Sequence, residues 1–421
     1  MSDPTLSEFW RASTAGYQKN YKIFNEDDQP VICFPLVLEP SSSSLEQVLQ
    51  GATDLGAKVS DGASPSVLRK LLDINGGAIN FKNMPLRSAQ DFSAFVSNLA
   101  GKGDNAWFPH QDFGMQLLRK THAENVVTTN EGPSSHIIHW HNEYGVSPSH
   151  PGFVVFFCVN PPGGGGETPI TSSLGVYDRL KRECPKFLRE CQWRGLTYTV
   201  HHTPVEMGGI VGGNGVFKPT AFGPLNKSDA ERMSPEEKKE VAIGRIKDLA
   251  RLGGWKEGEE NRDDISLPLW QRRGFDWSWS SDGGIDITHR VPGVRMHPTR
   301  QVGTFFNTLG TRYANAKKYN SWEPPHRVIK EDGLEHVVLP PLFVGMETDV
   351  PIPVEWMDSV NELQTEFSSN VSWEAGDVLV IDNFAVQHAR WPWTGDRLIL
   401  ASFWDESGVR AQPIPPDTQI L

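Results

Sequence analysis

The chain has 421 residues, 38% of them hydrophobic and 22% charged, with 14 Trp, 21 Phe and a formal charge of −12. This is ample material for a large packed interior and excludes a disordered chain, while the acidic balance, with no basic stripe, excludes a protein that tracks nucleic acid. No apolar run approaches the roughly 20 residues of a membrane span, the N-terminus lacks a basic-then-apolar leader, and Cys33, Cys158, Cys184 and Cys191 form no C-x-x-C pair, so a reduced, cytoplasmic protein with a small-molecule partner is expected.

Residues 1–60 are polar and turn-rich, with SSSS at Ser41 to Ser44 and a short strand expected at Val31 to Leu38. They read as an arm or cap on one domain covering 61–421. Val67, Leu68, Leu71 and Leu72 repeat at helical spacing, Gly76-Gly77 ends that helix, and Ala78 to Phe81 starts a strand. SAQDFSAFVSNLA gives a further amphipathic helix. From His136 to Val159 the pattern is strand, turn, strand, and Phe153 to Val159 is apolar on both faces, as a fully buried strand is. Residues 205–270 break the strand pattern and read as an insertion. It opens Gly-rich, in keeping with a lid or a plain surface loop, and then carries a helix in which Ser234 caps, Pro235 takes the first helical position and Glu237 closes a capping box. Strands follow at Val302 to Asn307, Asp377 to Asp382 and Leu398 to Trp404, with a helix at Val354 to Phe367. This order favours an antiparallel sheet sandwich dressed with helices over a doubly wound parallel sheet.

HIIHWHNEY, from His136 to Tyr144, carries the chemistry. In an extended strand His139, His141 and Glu143 share one face because side chains alternate. A His-x-Glu pair with a distant second His makes a 2-His-1-carboxylate triad, which leaves iron positions open for a co-substrate and oxygen. His388, where the apolar strand of GDVLVIDNFAVQHAR runs into a turn, is the best match for that second His. Nine residues on, Arg397 on the next strand can grip a distal carboxylate bidentately, and Thr168 can donate its hydroxyl to the same group. Asn130, Tyr144 and Asn307 are candidates for the substrate pocket, although Asn in turns and Tyr at strand ends are ordinary structural choices. Trp391 and Trp393 shield the metal or, in the plainer reading, pack in the core.

H-N-E at 141–143, the block P-x-x-x-x-F-F-C-x-x-P-P-x-x-G-G-E-T-P-I ending at Ile170, and G-D-V-L-V-I-D-N-x-A-V-x-H-A-R-x-P-x-x-G-x-R-L-I-L-A-S from Gly376 to Ser402 resemble the TauD/TfdA-type dioxygenases, in their clavaminate-synthase-like branch. The resemblance implies a double-stranded β-helix, or jelly-roll, core with flanking helices and the helical insertion. It also implies Fe(II) on His141, Glu143 and His388, with 2-oxoglutarate on Arg397 and Thr168 and O2 as oxidant. A C–H bond of a small organic metabolite would be oxidised, with release of succinate and CO2, in the setting of specialised metabolism. Many relatives that act on taurine carry a second Arg shortly after the co-substrate Arg; Ala401 stands at that position here, which argues against a sulfonate substrate. A His139–His141 pair of the cupin kind, a non-catalytic jelly-roll binding protein and an iron oxygenase that needs no 2-oxoglutarate are the competing readings. Homo-oligomer formation is left open.

Overall fold

The computed structural model describes residues 6–13, 34–57, 66–103, 106–129, 132–206, 213–255, 263–329, 335–410 and 412–414. Two sheets frame its centre. The large one runs Trp10–Ala12, Leu36–Pro40, Ala78–Phe81, Val378–Asp382, Phe153–Asn160, Leu398–Glu406, Val126–Thr128 and Thr121–Ala123, with Trp107–Pro109 joining Leu398–Glu406 as a side branch. The small one runs Ser368–Val371, Thr168–Ser172, Val386–Arg390 and Ile138–His141. Pairing is antiparallel throughout these two sheets except between Leu36–Pro40 and Ala78–Phe81.

Both central strands of the large sheet are apolar on both faces, because each face meets a core. One face packs Val154, Phe156, Leu379, Ile381 and Ile399 against Ile170, Val371 and Val386 of the small sheet. The other packs Phe153, Val155, Phe157, Val378 and Val380 under helices Leu45–Gly56, Val67–Ile74 and Ala89–Leu99. The expected capping box of Ser234 with Glu237 forms, Ser88 with Asp91 forms a second, and Ser66 accepts from Arg69 N.

The 205–270 stretch lies between two paired strands, Leu196–His202 and Ile285–Val291. Its helix Pro235–Leu252 buries Ala242, Ile246, Leu249 and Ala250 against Phe222, Phe275, Ile285 and Ile287. The centre of the Gly-rich opening, and Val31 to Cys33 of the first expected strand, lie outside the described residues.

Four local expectations need correction. The strand expected at Val302 to Asn307 pairs only over Gly303–Thr304. Beyond it, Phe305 N donates to Ser173 O, Asn307 N donates to the Asn142 side chain, and Gln387 Nε2 reaches the carbonyls of Phe305 and Asn307. Isolated backbone bonds and the Asn142 and Gln387 side chains thus take the places a neighbouring strand would fill. His388 is not in a turn; it sits within its own strand, Val386–Arg390. The turn comes earlier: Asp382 accepts from Phe384 N through its side chain and from Ala385 N through its carbonyl, reversing the chain from the large sheet into the small one. Arg397 stands one residue before Leu398–Glu406. Glu143 also lies outside a strand, as described next.

Candidate metal centre

His141 is the last residue of Ile138–His141 and is paired in register with His388 on the neighbouring strand. Their rings lie 4.2 Å apart. After His141 the ladder stops, because Asn383 supplies the next hydrogen bonds: its Oδ1 accepts from Glu143 N at 2.8 Å, and its Nδ2 donates to Glu143 O at 3.0 Å and Pro151 O at 2.8 Å. The turn so fixed brings the Glu143 carboxylate to the two imidazoles. One ligand atom from each of His141, Glu143 and His388 lies within 4.8 Å of the others, a group that could hold a metal ion.

The protonation states suit that role. His141 Nδ1 donates to His139 O at 2.8 Å, which leaves Nε2 as the free lone pair. Burial, then the His388 imidazole, lowers His141 to about 4, so it is neutral. Burial alone would raise the Glu143 carboxyl, but the Arg119 guanidinium and the two imidazoles hold it at about 2. Arg119 Nη2 donates to Glu143 Oε1 at 2.7 Å, and its guanidinium lies over the Phe403 ring. His139 is not part of the group; its carbonyl orients His141, and burial beside His136 lowers its imidazole to about 4.

A cavity of about 80 Å3 opens on the triad and is lined by Arg119, Thr168, His388, Arg390 and Arg397 together with apolar Phe156 and Ile399. Arg397 Nε donates to Gly166 O at 3.2 Å, and both Arg397 and Arg390 rest on the Trp393 ring. Trp393 therefore supports two cations and is half-buried. Burial lowers both guanidinium groups to about 10, which leaves them charged at neutral pH. Trp373 Nε1 donates to Thr168 Oγ1 at 3.0 Å. With that oxygen serving as acceptor, the Thr168 hydroxyl proton is free to be donated elsewhere.

His141 and Glu143 also border a second cavity, of about 140 Å3, lined by Phe113, Met115, Leu117, Val146, Val200 and His289. His289 is 1% exposed, both its ring nitrogens find no hydrogen-bond partner among the described residues, and burial followed by the nearby His202 lowers it to about 3. Tyr144 borders this cavity from a left-handed backbone position, φ 54°. Asn307 instead spends its side chain on Gly293 O and Leu309 N and borders neither cavity. Asn130 lies outside the described residues.

Sequence reasoning missed Arg119, Asn383, Gln387, Arg390, Trp373 and His289. Asn383 and Gln387 left a signal, two polar side chains inside the apolar run that ends on His388. Gln387 Nε2 donates to Asn142 Oδ1, and its Oε1 accepts from Gln364. Arg390 stands two residues after His388 on the same strand, whereas Arg119, Trp373 and His289 stand in segments whose pattern does not mark them.

This site belongs to an oxygenase. The chain is a member of the family described as taurine catabolism dioxygenase TauD, TfdA family, whose model matches residues 48–404. Among its relatives, "Clavaminate synthase-like protein At3g21360" of Arabidopsis thaliana is 27% identical over 337 residues, covering 77% of this chain and 81% of that one. "Dapdiamide synthesis protein DdaC" of Enterobacter agglomerans is 25% identical over 329 residues, covering 78% and 82%. A solved taurine dioxygenase from Burkholderia xenovorans matches with a TM-score of 0.40 at 14% identity, covering 90% of this chain and 91% of that one. Among the described residues no helix is long and apolar enough to cross a membrane.

Proposed function

We propose that the chain is an Fe(II)- and 2-oxoglutarate-dependent dioxygenase that oxidises a C–H bond of a small organic metabolite, with a jelly-roll core formed by the two facing sheets. The observation that carries the reading is one site in which His141, Glu143 and His388 converge while Arg397 and Thr168 border the same cavity. Two imidazole nitrogens and one carboxylate suit Fe(II) and leave coordination positions open. Bound there, the iron would supply oxygen activation coupled to decarboxylation of the 2-oxo acid, with succinate and CO2 as products.

The remaining roles fall to the chain's own residues. Arg397 and Thr168 receive the distal carboxylate, by charge-assisted and hydroxyl hydrogen bonds. Arg390, beside them, adds positive potential that favours a dicarboxylate over a neutral keto compound. Arg119 keeps Glu143 ionised and oriented. The apolar cavity receives the substrate, and its lining of Phe113, Met115, Leu117, Val146 and Val200 excludes water and selects an apolar body. A cytoplasmic location accords with this chemistry.

The test is anaerobic addition of Fe(II) and then 2-oxoglutarate, followed by the weak visible charge-transfer band of a metal-chelated 2-oxo acid. Wild type should show the band. His141→Ala, Glu143→Ala and His388→Ala should lose it, and Arg397→Ala should need far more 2-oxoglutarate. Absence of both the band and tight iron binding in wild type would refute the proposal.

A further inference from the structure

Beyond the metal centre, a larger cavity of about 480 Å3 opens on the far side of the 144–150 turn, bordered by His150, Trp270, Arg290, Arg295, Phe384 and Arg410. Its charges do not balance. Arg290 is compensated: it lies 2.6 Å from Asp276 and also donates to Gly274 O. The two acids on the cavity wall are committed elsewhere, Asp405 to His110 and to Gly152 N, and Glu406 to Arg69 at 2.9 Å. Arg295 differs from all of these. It is 5% exposed, its Nε and Nη2 find no hydrogen-bond partner among the described residues, and its packing contact is the Phe306 ring at 5.1 Å.

A guanidinium cannot escape burial by losing its proton, so an uncompensated one against a cavity is the half of an ion pair whose other half comes from outside. Its place is fixed. Arg295 pairs on one side with Thr304 and on the other with Pro413, so the backbone carrying the side chain is clamped from both edges. Burial also lowers the group to about 10, which a bound anion would reverse.

We propose that this cavity binds a small organic anion, a carboxylate or phosphate ester, with Arg295 as its principal contact and Arg410 at the mouth. Its volume falls within the usual range of small-molecule sites and exceeds what an inorganic ion needs. Ser149 borders both this cavity and the apolar one beside the triad. Two sources therefore share the chemistry, an anionic arm of the oxidised substrate and a separate anionic ligand.

The experiment is calorimetric titration of the metal-free full-length protein with inorganic phosphate and with phenyl phosphate, in low-salt buffer. Wild type should bind phenyl phosphate more tightly than phosphate. Arg295→Met should weaken both about tenfold or more, as loss of a charge-assisted pair does. Arg410→Ser, at an exposed position that folding tolerates, should weaken both about threefold. No binding of either probe to wild type, or binding abolished by Arg397→Met but untouched by Arg295→Met, would overturn the proposal. With Fe(II) and 2-oxoglutarate added in air, phenyl phosphate that changes succinate release marks the cavity as the seat of a substrate arm. Binding without that change marks a separate ligand. The metal-free titration is independent of the dioxygenase reading, so either can fail alone.

Discussion

Replacing Asn383 with Ala would test how Glu143 is aimed. The amide touches none of the ligand atoms, yet it makes three hydrogen bonds of 2.8 to 3.0 Å to the backbone of residues 143 and 151, all buried. Removing it orphans one N–H and two carbonyls. At about 1 kcal/mol net per bond, more if water cannot reach the gap, stability should fall by about 3 kcal/mol. Metal affinity should fall separately, because the turn that presents the carboxylate loosens; losing a partner that orients a ligand typically costs about 10- to 100-fold. Asn383→Asp keeps an acceptor for Glu143 N but sets a carboxylate against two carbonyls, so it should do no better than Ala. Mn(II) affinity by calorimetry, read beside urea unfolding midpoints, separates the two effects. Should Asn383→Ala lose the stability but bind Mn(II) within twofold of wild type, the amide is a structural brace and the argument that it aims Glu143 fails.

Other consequences can be checked in parallel. Arg397→Met should raise the 2-oxoglutarate concentration for half-saturation by about 10- to 100-fold, and Arg397→Lys should recover part of that loss by restoring charge without the planar fork; equal loss in both would assign the effect to packing on Trp393. Thr168→Val removes one hydroxyl and strands the Trp373 N–H, so about a fivefold weaker response to 2-oxoglutarate is expected from the same titration, and an unchanged one would remove Thr168 from the co-substrate site. Burial lowers His202 to about 4. On unfolding, its imidazole takes up a proton at any pH below about 6.5, so its contribution is present above that pH and is lost as pH falls toward 4. His202→Phe should therefore shrink the stability loss between pH 6.5 and 5 by up to about 2 kcal/mol, and an unshrunk loss in urea titrations would contradict the neutral buried state.

How legible the protein was depends on whether a role is written in one segment or assembled from several. One helix announced itself through Ser234, because a cap is a local hydrogen bond, and the helices after Ser66 and Ser88 through their apolar spacing. Phe153 to Val159 read correctly as buried on both faces, since an unbroken apolar run in a strand has few other homes. His141, Glu143 and His388 could be picked out because ligand chemistry restricts residue type. The strand reading behind Glu143 was nevertheless wrong in detail: alternation put the carboxylate on the right face, but a turn held by Asn383 delivers it. Arg119 and Arg295 were illegible for a different reason. Each acquires meaning only from what lies opposite it, a carboxylate 24 residues away in one case and an empty cavity wall in the other.

The bonds between Asn383 and Glu143 join residues 240 apart in sequence. A contact of such span closes late, after the entropy of a long loop has been overcome and after the C-terminal strands exist to receive it. During synthesis, therefore, the first half of the chain carries His141 and Glu143 without the residue that orients one or the imidazole that completes the set. Under the proposed iron-dependent reading, a nascent or truncated chain ending before Asn383 should hold Fe(II) loosely, so that metal loading would be coupled to completion of the fold and redox chemistry would wait until the protein around it is finished.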